Sequence, residues 1–157
     1  MAQKSAGILM YRFQEQALEV FLVHPGGPFW ARRDHAAWSI PKGEFSDSED
    51  PLEAAKREFQ EETGMPAGGD LFYLGEFKQP SRKLIHVWAV EGDCDPGAIE
   101  SNTFEMEWPP KSGKYERFPE VDRAGWFSLE AASEKLHKGQ VVLIGRLAEA
   151  LGVDVDS

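Results

Sequence analysis

The chain has 157 residues, 41% of them hydrophobic, and a formal net charge of -10. That length allows one well-buried core and no second domain of ordinary size, so residues 1–157 are read as a single domain. The acidic balance argues against a nucleic-acid partner, which needs a basic footprint, and the lone Cys94 excludes an intrachain disulfide.

That cysteine is read as a packing or loop residue and suits a reducing, cytoplasmic setting. No apolar run approaches the roughly 18 residues of a membrane span, and residues 1–10 read better as a first strand than as a secretory signal. Residues 5–12 and 18–24 are rich in strand formers, and the polar turn between them predicts a hairpin. Pro25-Gly26-Gly27-Pro28 breaks the chain, and residues 29–37 form a loop carrying Trp30, Arg32, Arg33 and His35. Trp38-Ser39-Ile40 is expected as a short strand leading into Pro41-Lys42-Gly43.

Local rules then delimit a helix. Asp50 is a good N-cap, Pro51 suits the first helical position, Glu53 completes a capping box and Gly64 supplies the stop, so the helix spans 51–63. Leu52, Ala55 and Phe59 share one arc, while Arg57, Glu58, Glu61 and Glu62 occupy an arc of roughly 140° beside it. Carboxylates at these spacings repel one another, and more so near a core. Arg57 can neutralise one of them, with Glu49 as the partner that holds it. The remaining oxygen ligands suit a hard divalent cation, Mg²⁺ or Mn²⁺, and the lack of histidine or cysteine argues against zinc.

Residues 71–79 and 83–91 read as two more strands about a Pro80-Ser81-Arg82 turn. The second is apolar on both faces apart from His86, so it is expected to be central and covered on both sides. Residues 92–125 are rich in proline, glycine and acids. Within them 104–108 alternates as a short strand, with Glu105 and Glu107 on one face. A last strand at 126–129, a helix from Ser128 or Leu129 to His137, and a second helix over 140–151 follow. This order predicts an α/β fold, a mixed sheet covered by helices as an α/β/α sandwich.

From Gly43 through Glu49, Arg57, Glu58, Glu61, Glu62 and Gly64 to Met65, the spacing resembles the Nudix hydrolase signature at every fixed position. The resemblance implies a loop, helix and loop that bind divalent metal and the diphosphate of a nucleoside diphosphate linked to another group. It implies metal ligation by Glu58, Glu61, Glu62 and the Gly43 carbonyl, an orienting ion pair between Glu49 and Arg57, and packing roles for Phe59 and Met65. For the general base it leaves Glu61 or Glu58 beside a later loop acid, with Glu120 ahead of Glu107 and Glu105.

The approach at 38–43 resembles that of dinucleoside polyphosphate and diphosphoinositol polyphosphate hydrolases. Lys42, Trp38, Trp30, Arg32 and Lys83, with Arg33, Lys78 and Arg82, are therefore the candidates for stacking and phosphate contacts. The expected reaction is hydrolysis of a phosphoanhydride in a dinucleoside polyphosphate or nucleoside triphosphate, a small phosphorylated substrate. The alternatives are a diphosphoinositol polyphosphate hydrolase, a nucleotide-sensing module without turnover, and an isomerase of the isopentenyl diphosphate type, which needs a reactive cysteine. The apolar 104–110 stretch serves a homodimer or a lid equally well, so the oligomeric state stays open.

Overall fold

The computed structural model describes residues 4–153. Strand β1 (Lys4–Gln14) alternates Ile8 and Met10 with Leu9 and Tyr11, all buried, and so contributes to a core on each face of the sheet. It pairs with β2 (Ala17–Pro25) through a two-residue turn at Glu15 and Gln16, both at positive φ as a tight hairpin requires. The predicted hairpin is therefore present, with longer strands and a shorter turn.

Beyond Tyr11↔Val20 the two strands part, and the nearer half of β1 pairs with β3 (Lys42–Glu44), Gly43 opposite Ala6. Gly43 is thereby held within the sheet. The expected strand at 38–40 is instead a pair of isolated bridges, Trp38 to Leu136 and Ser39 to Val23. The regular pairing starts four residues later, where the chain enters the gap left by β2.

Helix α1 (Pro51–Thr63) precedes β4 (Phe72–Lys78) and β5 (Leu84–Glu91). β5 runs parallel to β1, Lys4 opposite Leu84, while the other ladders of the main sheet are antiparallel. The order is β4-β5-β1-β2 and then a last strand over Val121–Ser128, with β3 also on β1. β5 is an interior strand as expected, but the centre belongs to β1. Its Ile85, Val87 and Ala89 are buried on one face, whereas His86 and Trp88 on the other are only half-buried, beside Tyr73 and Phe45.

The 92–125 stretch is more regular than expected. β6 (Thr103–Glu107) and β7 (Tyr115–Pro119) form a separate two-stranded sheet, and β8 (Val121–Ser128) starts five residues before the predicted last strand. Ser128 caps α2 (Leu129–Lys135) by accepting from the Ala131 N–H at 3.1 Å. A 3-10 turn at Lys138–Gln140 then precedes α3 (Val142–Leu151), so the helix expected over 140–151 is present and begins two residues later.

Two apolar clusters flank the sheet. Ala54, Ala55 and Phe59 of α1 meet Ala6, Ile8, Phe21 and Val90 on one face. Leu129, Leu143, Ile144 and Leu147 of α2 and α3 meet Leu9, Leu22, Ile85 and Val87 on the other. This is the predicted α/β/α sandwich. Among the described residues, no helix is long and apolar enough to cross a membrane.

Candidate active site

α1 is built by the rules its sequence obeys. Asp50 accepts from the Glu53 N–H at 3.1 Å, and Gly64 turns at φ +77° with its N–H on the Gln60 carbonyl at 2.7 Å. Ala54, Ala55, Phe59 and Thr63 are buried against the sheet, while Leu52, expected on the same arc, is half-buried. That seating fixes where the acidic arc lies.

Arg57 organises that arc. Its Nε and Nη2 donate to both oxygens of Glu49 at 2.8 and 3.1 Å, a two-point pairing, and its Nη1 donates to Glu58 at 2.8 Å and Glu61 at 3.2 Å. The hydrogen bond to Glu49 leads the effects that hold the guanidinium firmly charged, and it holds the Glu49 carboxyl below its ordinary range. Arg57 thus serves Glu58 and Glu61 as well as Glu49.

Glu62 lies deeper. Burial, and then the charge of Glu58, pushes its carboxyl up to about 8, although the Lys42 backbone N–H donates to it. Burial, and then Glu61, also raises Glu58. Gly43 comes so close that a Cβ there would overlap the Glu58 carboxylate, so a larger residue would push that carboxylate aside.

Glu120 joins this group through a backbone relay. Asn102 donates to the Glu61 carbonyl at 2.7 Å, Glu120 donates to the Asn102 carbonyl at 2.8 Å, and Gly26 donates to the Glu120 carbonyl at 2.9 Å. Burial, followed by the charge of Glu61, raises the Glu120 carboxyl, and its charge in turn raises Glu58 and Glu62. The other two loop acids are elsewhere: Glu105 faces Arg117 at 3.7 Å, and Glu107 accepts from the Lys111 and Gly113 N–H groups within the β6–β7 turn. Neither reaches the acidic arc, because the hairpin carries them away from it.

The substrate candidates separate. Lys42 and Lys83 line one cleft of about 350 Å³ with Gly43, Gln79, Ser81 and His137. Burial lowers Lys42 from its ordinary range, opposed by Glu62, and Lys83 stands 3.1 Å from Glu44. Trp38, by contrast, is 5% exposed: its indole N–H donates to Asp34 at 2.9 Å, and His24, Phe127 and Arg123 crowd its ring. It is a core residue, and the reading of it as a substrate contact is corrected. Trp30 packs on the α2/α3 side of the sheet with Arg33 over its ring, and Arg32 is exposed on the same loop. Gln79 and His137 carry no local signal in the sequence, since only the fold brings them to Gly43.

The candidate donors are all oxygen: three glutamates and a glycine carbonyl, with Glu62 raised by burial and Glu58, and Glu58 raised by burial and Glu61. That chemistry fits a hard divalent cation. No three acidic, imidazole or thiol groups among the described residues converge on one point, and Arg57 Nη1 bridges Glu58 and Glu61.

Comparison with known proteins decides the family. The NUDIX domain model matches residues 1–147. The chain belongs to the Nudix family. It is similar to the RNA pyrophosphohydrolase of Pseudomonas aeruginosa, 48% identical over 44 residues, a stretch covering 27% of this chain and 28% of that protein. The whole-chain Nudix fold recurs in the NUDIX domain of Shewanella oneidensis NrtR complexed with ADP ribose, with a TM-score of 0.67, 15% identity, and 96% and 89% of the two chains covered. It recurs in a C. elegans Ap4A hydrolase binary complex, with a TM-score of 0.66, 20% identity, and 96% and 98% covered. These Nudix neighbours establish the architecture.

Proposed function

We propose that this Nudix protein is a pyrophosphohydrolase that cleaves a phosphoanhydride in a small nucleoside polyphosphate, a dinucleoside polyphosphate or a nucleoside triphosphate, with Mg²⁺ or Mn²⁺. The observation that carries the proposal is the group of Glu58, Glu61, Glu62 and Glu120, coupled in charge, beside Gly43, which itself lines the cleft that Lys42 and Lys83 share. Glu58, Glu61, Glu62 and the Gly43 carbonyl would hold the cation, which would supply charge neutralisation at phosphate oxygens and acidify an attacking water. Arg57, tied to Glu49, orients Glu58 and Glu61. Lys42 and Lys83 receive phosphates, and Gln79, Ser81 and His137 add hydrogen-bonding groups.

Proton removal from the attacking water falls to Glu120. Its raised carboxyl is a better proton acceptor than an ordinary one, and it neighbours the ligands without being bound to Arg57. The isomerase alternative loses its reagent: burial, then Asp93, pushes the Cys94 thiol up to about 11, and Cys94 lines a hollow with Arg12 and Asp95. The intact carboxylates count against a sensor without turnover. The free thiol of Cys94 suits the cytoplasm.

The test is a substrate panel in Mg²⁺: nucleoside triphosphates, dinucleoside polyphosphates, ADP-ribose, diphosphoinositol phosphates and a 5′-triphosphorylated RNA. Turnover of the first two classes is expected to be fastest. Preference for the RNA would follow the Pseudomonas similarity and overturn the small-substrate reading, and no turnover at all would overturn the enzyme.

A further inference from the structure

The start of β8 departs from regular pairing. His24 of β2 stands opposite Arg123 and Pro25 opposite Val121, so Asp122 is one residue too many for the ladder, a β-bulge. The extra residue changes which way the side chains point. Val121 and Ala124, three positions apart, both lie in the cluster under α1, where an unbroken strand would put them on opposite faces. Asp122 and Arg123, neighbours in sequence, both turn to the other side, Asp122 to the His24 ring and Arg123 over Trp38. Glu120 directly precedes Val121, and its carbonyl accepts from the Gly26 N–H at 2.9 Å. A Cβ on Gly26 would overlap the Pro119 carbonyl, so the two chains close here without room for a side chain. A strand without the bulge would turn Val121 away from α1 and carry Glu120 with it.

His24 holds the bulge from the β2 side. It is 0% exposed, with Nδ1 2.8 Å from the Asp122 carboxylate, Nε2 2.5 Å from the Arg33 carbonyl, and its ring 5.2 Å from that of Trp38. A backbone carbonyl can only accept, so Nε2 carries a proton. Between Nδ1 and Asp122 a second proton rests on the ring, because an imidazole is a stronger base than a carboxylate. Asp122 keeps 27% of its side chain open to water, which favours its ionised form. Faced by two oxygens, the ring makes both contacts only as an imidazolium, and Asp122 balances that buried charge. The other charged groups around the pair have partners of their own. Arg123 lies over the Trp38 ring at 5.5 Å and Arg33 over Trp30 at 5.4 Å, while Asp34 accepts from the Trp38 indole and pairs with Lys135.

We propose that His24 and Asp122 are positioning residues for Glu120: the His24 imidazolium, held between Asp122 and the Arg33 carbonyl, locks the bulge at the start of β8 and fastens it to the loop of residues 29–37. The proposal rests on the role given to Glu120 above. Loss of a proton leaves the ring one donor for two acceptors, so either Asp122 or the Arg33 carbonyl is released and the bulge loosens. Through this clamp, pH reaches the carboxyl that takes the proton from water without titrating any group on α1.

Nitrogen-15 NMR of the full chain reads the clamp without turnover, the His24 signals being assigned by their loss in His24→Gln. At about pH 6 both His24 ring nitrogens are expected to carry protons, and as pH rises the Gly26 and Glu120 amide signals should shift with the midpoint of that ring. A ring with one bare nitrogen at every pH, or amides that move independently of it, would overturn the clamp. The positioning role is read by a double-mutant cycle on the compound turned over fastest. Because His24 is fully buried, the cycle uses Asp122→Asn, which keeps an acceptor for Nδ1 and removes the charge at a partly exposed position. Asp122→Asn is expected to lower kcat about tenfold at constant KM in the wild-type background and to change nothing further in Glu120→Gln. Equal losses in both backgrounds, or a rise in KM alone, would overturn the assignment. A protein that turns over nothing yet shows the coupled ring and amide signals loses the enzymatic reading and keeps the clamp.

Discussion

Two parts of the molecule that meet at Glu120 are built on opposite principles. α1 is specified by its own neighbours in sequence: a cap, a proline, an apolar arc and a glycine stop, with Arg57 reaching three carboxylates from one helix and the loop before it. The β6–β7 hairpin is specified from a distance, by Gly26, Gly27 and Phe29, which lie more than seventy positions earlier. The local element concentrates charge and the remote one concentrates rings.

The largest expected effect is on the local side. Glu61→Gln and Glu62→Gln should each reduce kcat by at least about a thousandfold with the fold intact by circular dichroism, since in the proposed site each would supply a carboxylate to the cation. Near-normal rates in both would move the cation elsewhere. At the junction, Glu120→Gln is expected to lower kcat by about a hundredfold or more with little change in KM, and to remove the ascending limb of the pH–rate profile. An unaltered limb would pass the proton to Glu58 or Glu61.

A smaller effect follows from burial. The folded Glu62 carboxyl sits at about 8, above the ordinary carboxylate range, so the folded state holds this proton more tightly than the unfolded chain. Its contribution favours folding at low pH and is lost as pH rises from that ordinary range to about 8. Thermal melts of chelator-treated protein should therefore fall across this window, flatten in Glu62→Gln, and recover with Mg²⁺. The smallest change is expected at the cleft: Lys83→Ala should raise KM several-fold at constant kcat, because Glu44 already shares this ammonium. A fall in kcat instead would put Lys83 at the reacting phosphate.

The same division explains what the sequence disclosed. α1, its caps and the Glu49–Arg57 pair were legible because each depends on residues within about fifteen positions. The hairpin at β1 and β2 was legible in outline, but Glu15 and Gln16 lack the glycine or asparagine that usually marks such a turn. β7 escaped notice because Tyr115–Pro119 has no apolar face of its own and is ordered by pairing with β6. Trp38 misled for the converse reason: beside a lysine and a glycine it looks accessible, yet β8 and α2 close over it. The cleft was illegible as a unit, since its walls come from β1, the β4–β5 turn and the segment after α2.

The parallel ladder between β1 and β5 has a consequence for the order of assembly. Lys4 lies opposite Leu84, so closing that ladder encloses the whole stretch from β2 to β4, α1 included, inside one covalent loop. Parallel pairing across such a separation forms late and breaks as a unit. In native-state hydrogen exchange, amides of Ile8 and Val87 should then open together with those of α1 around Phe59, whose ring is clasped by β1 and β2. The carboxylate cluster would exist only in molecules whose chain has already closed, so a partly folded intermediate would carry the helix without the site.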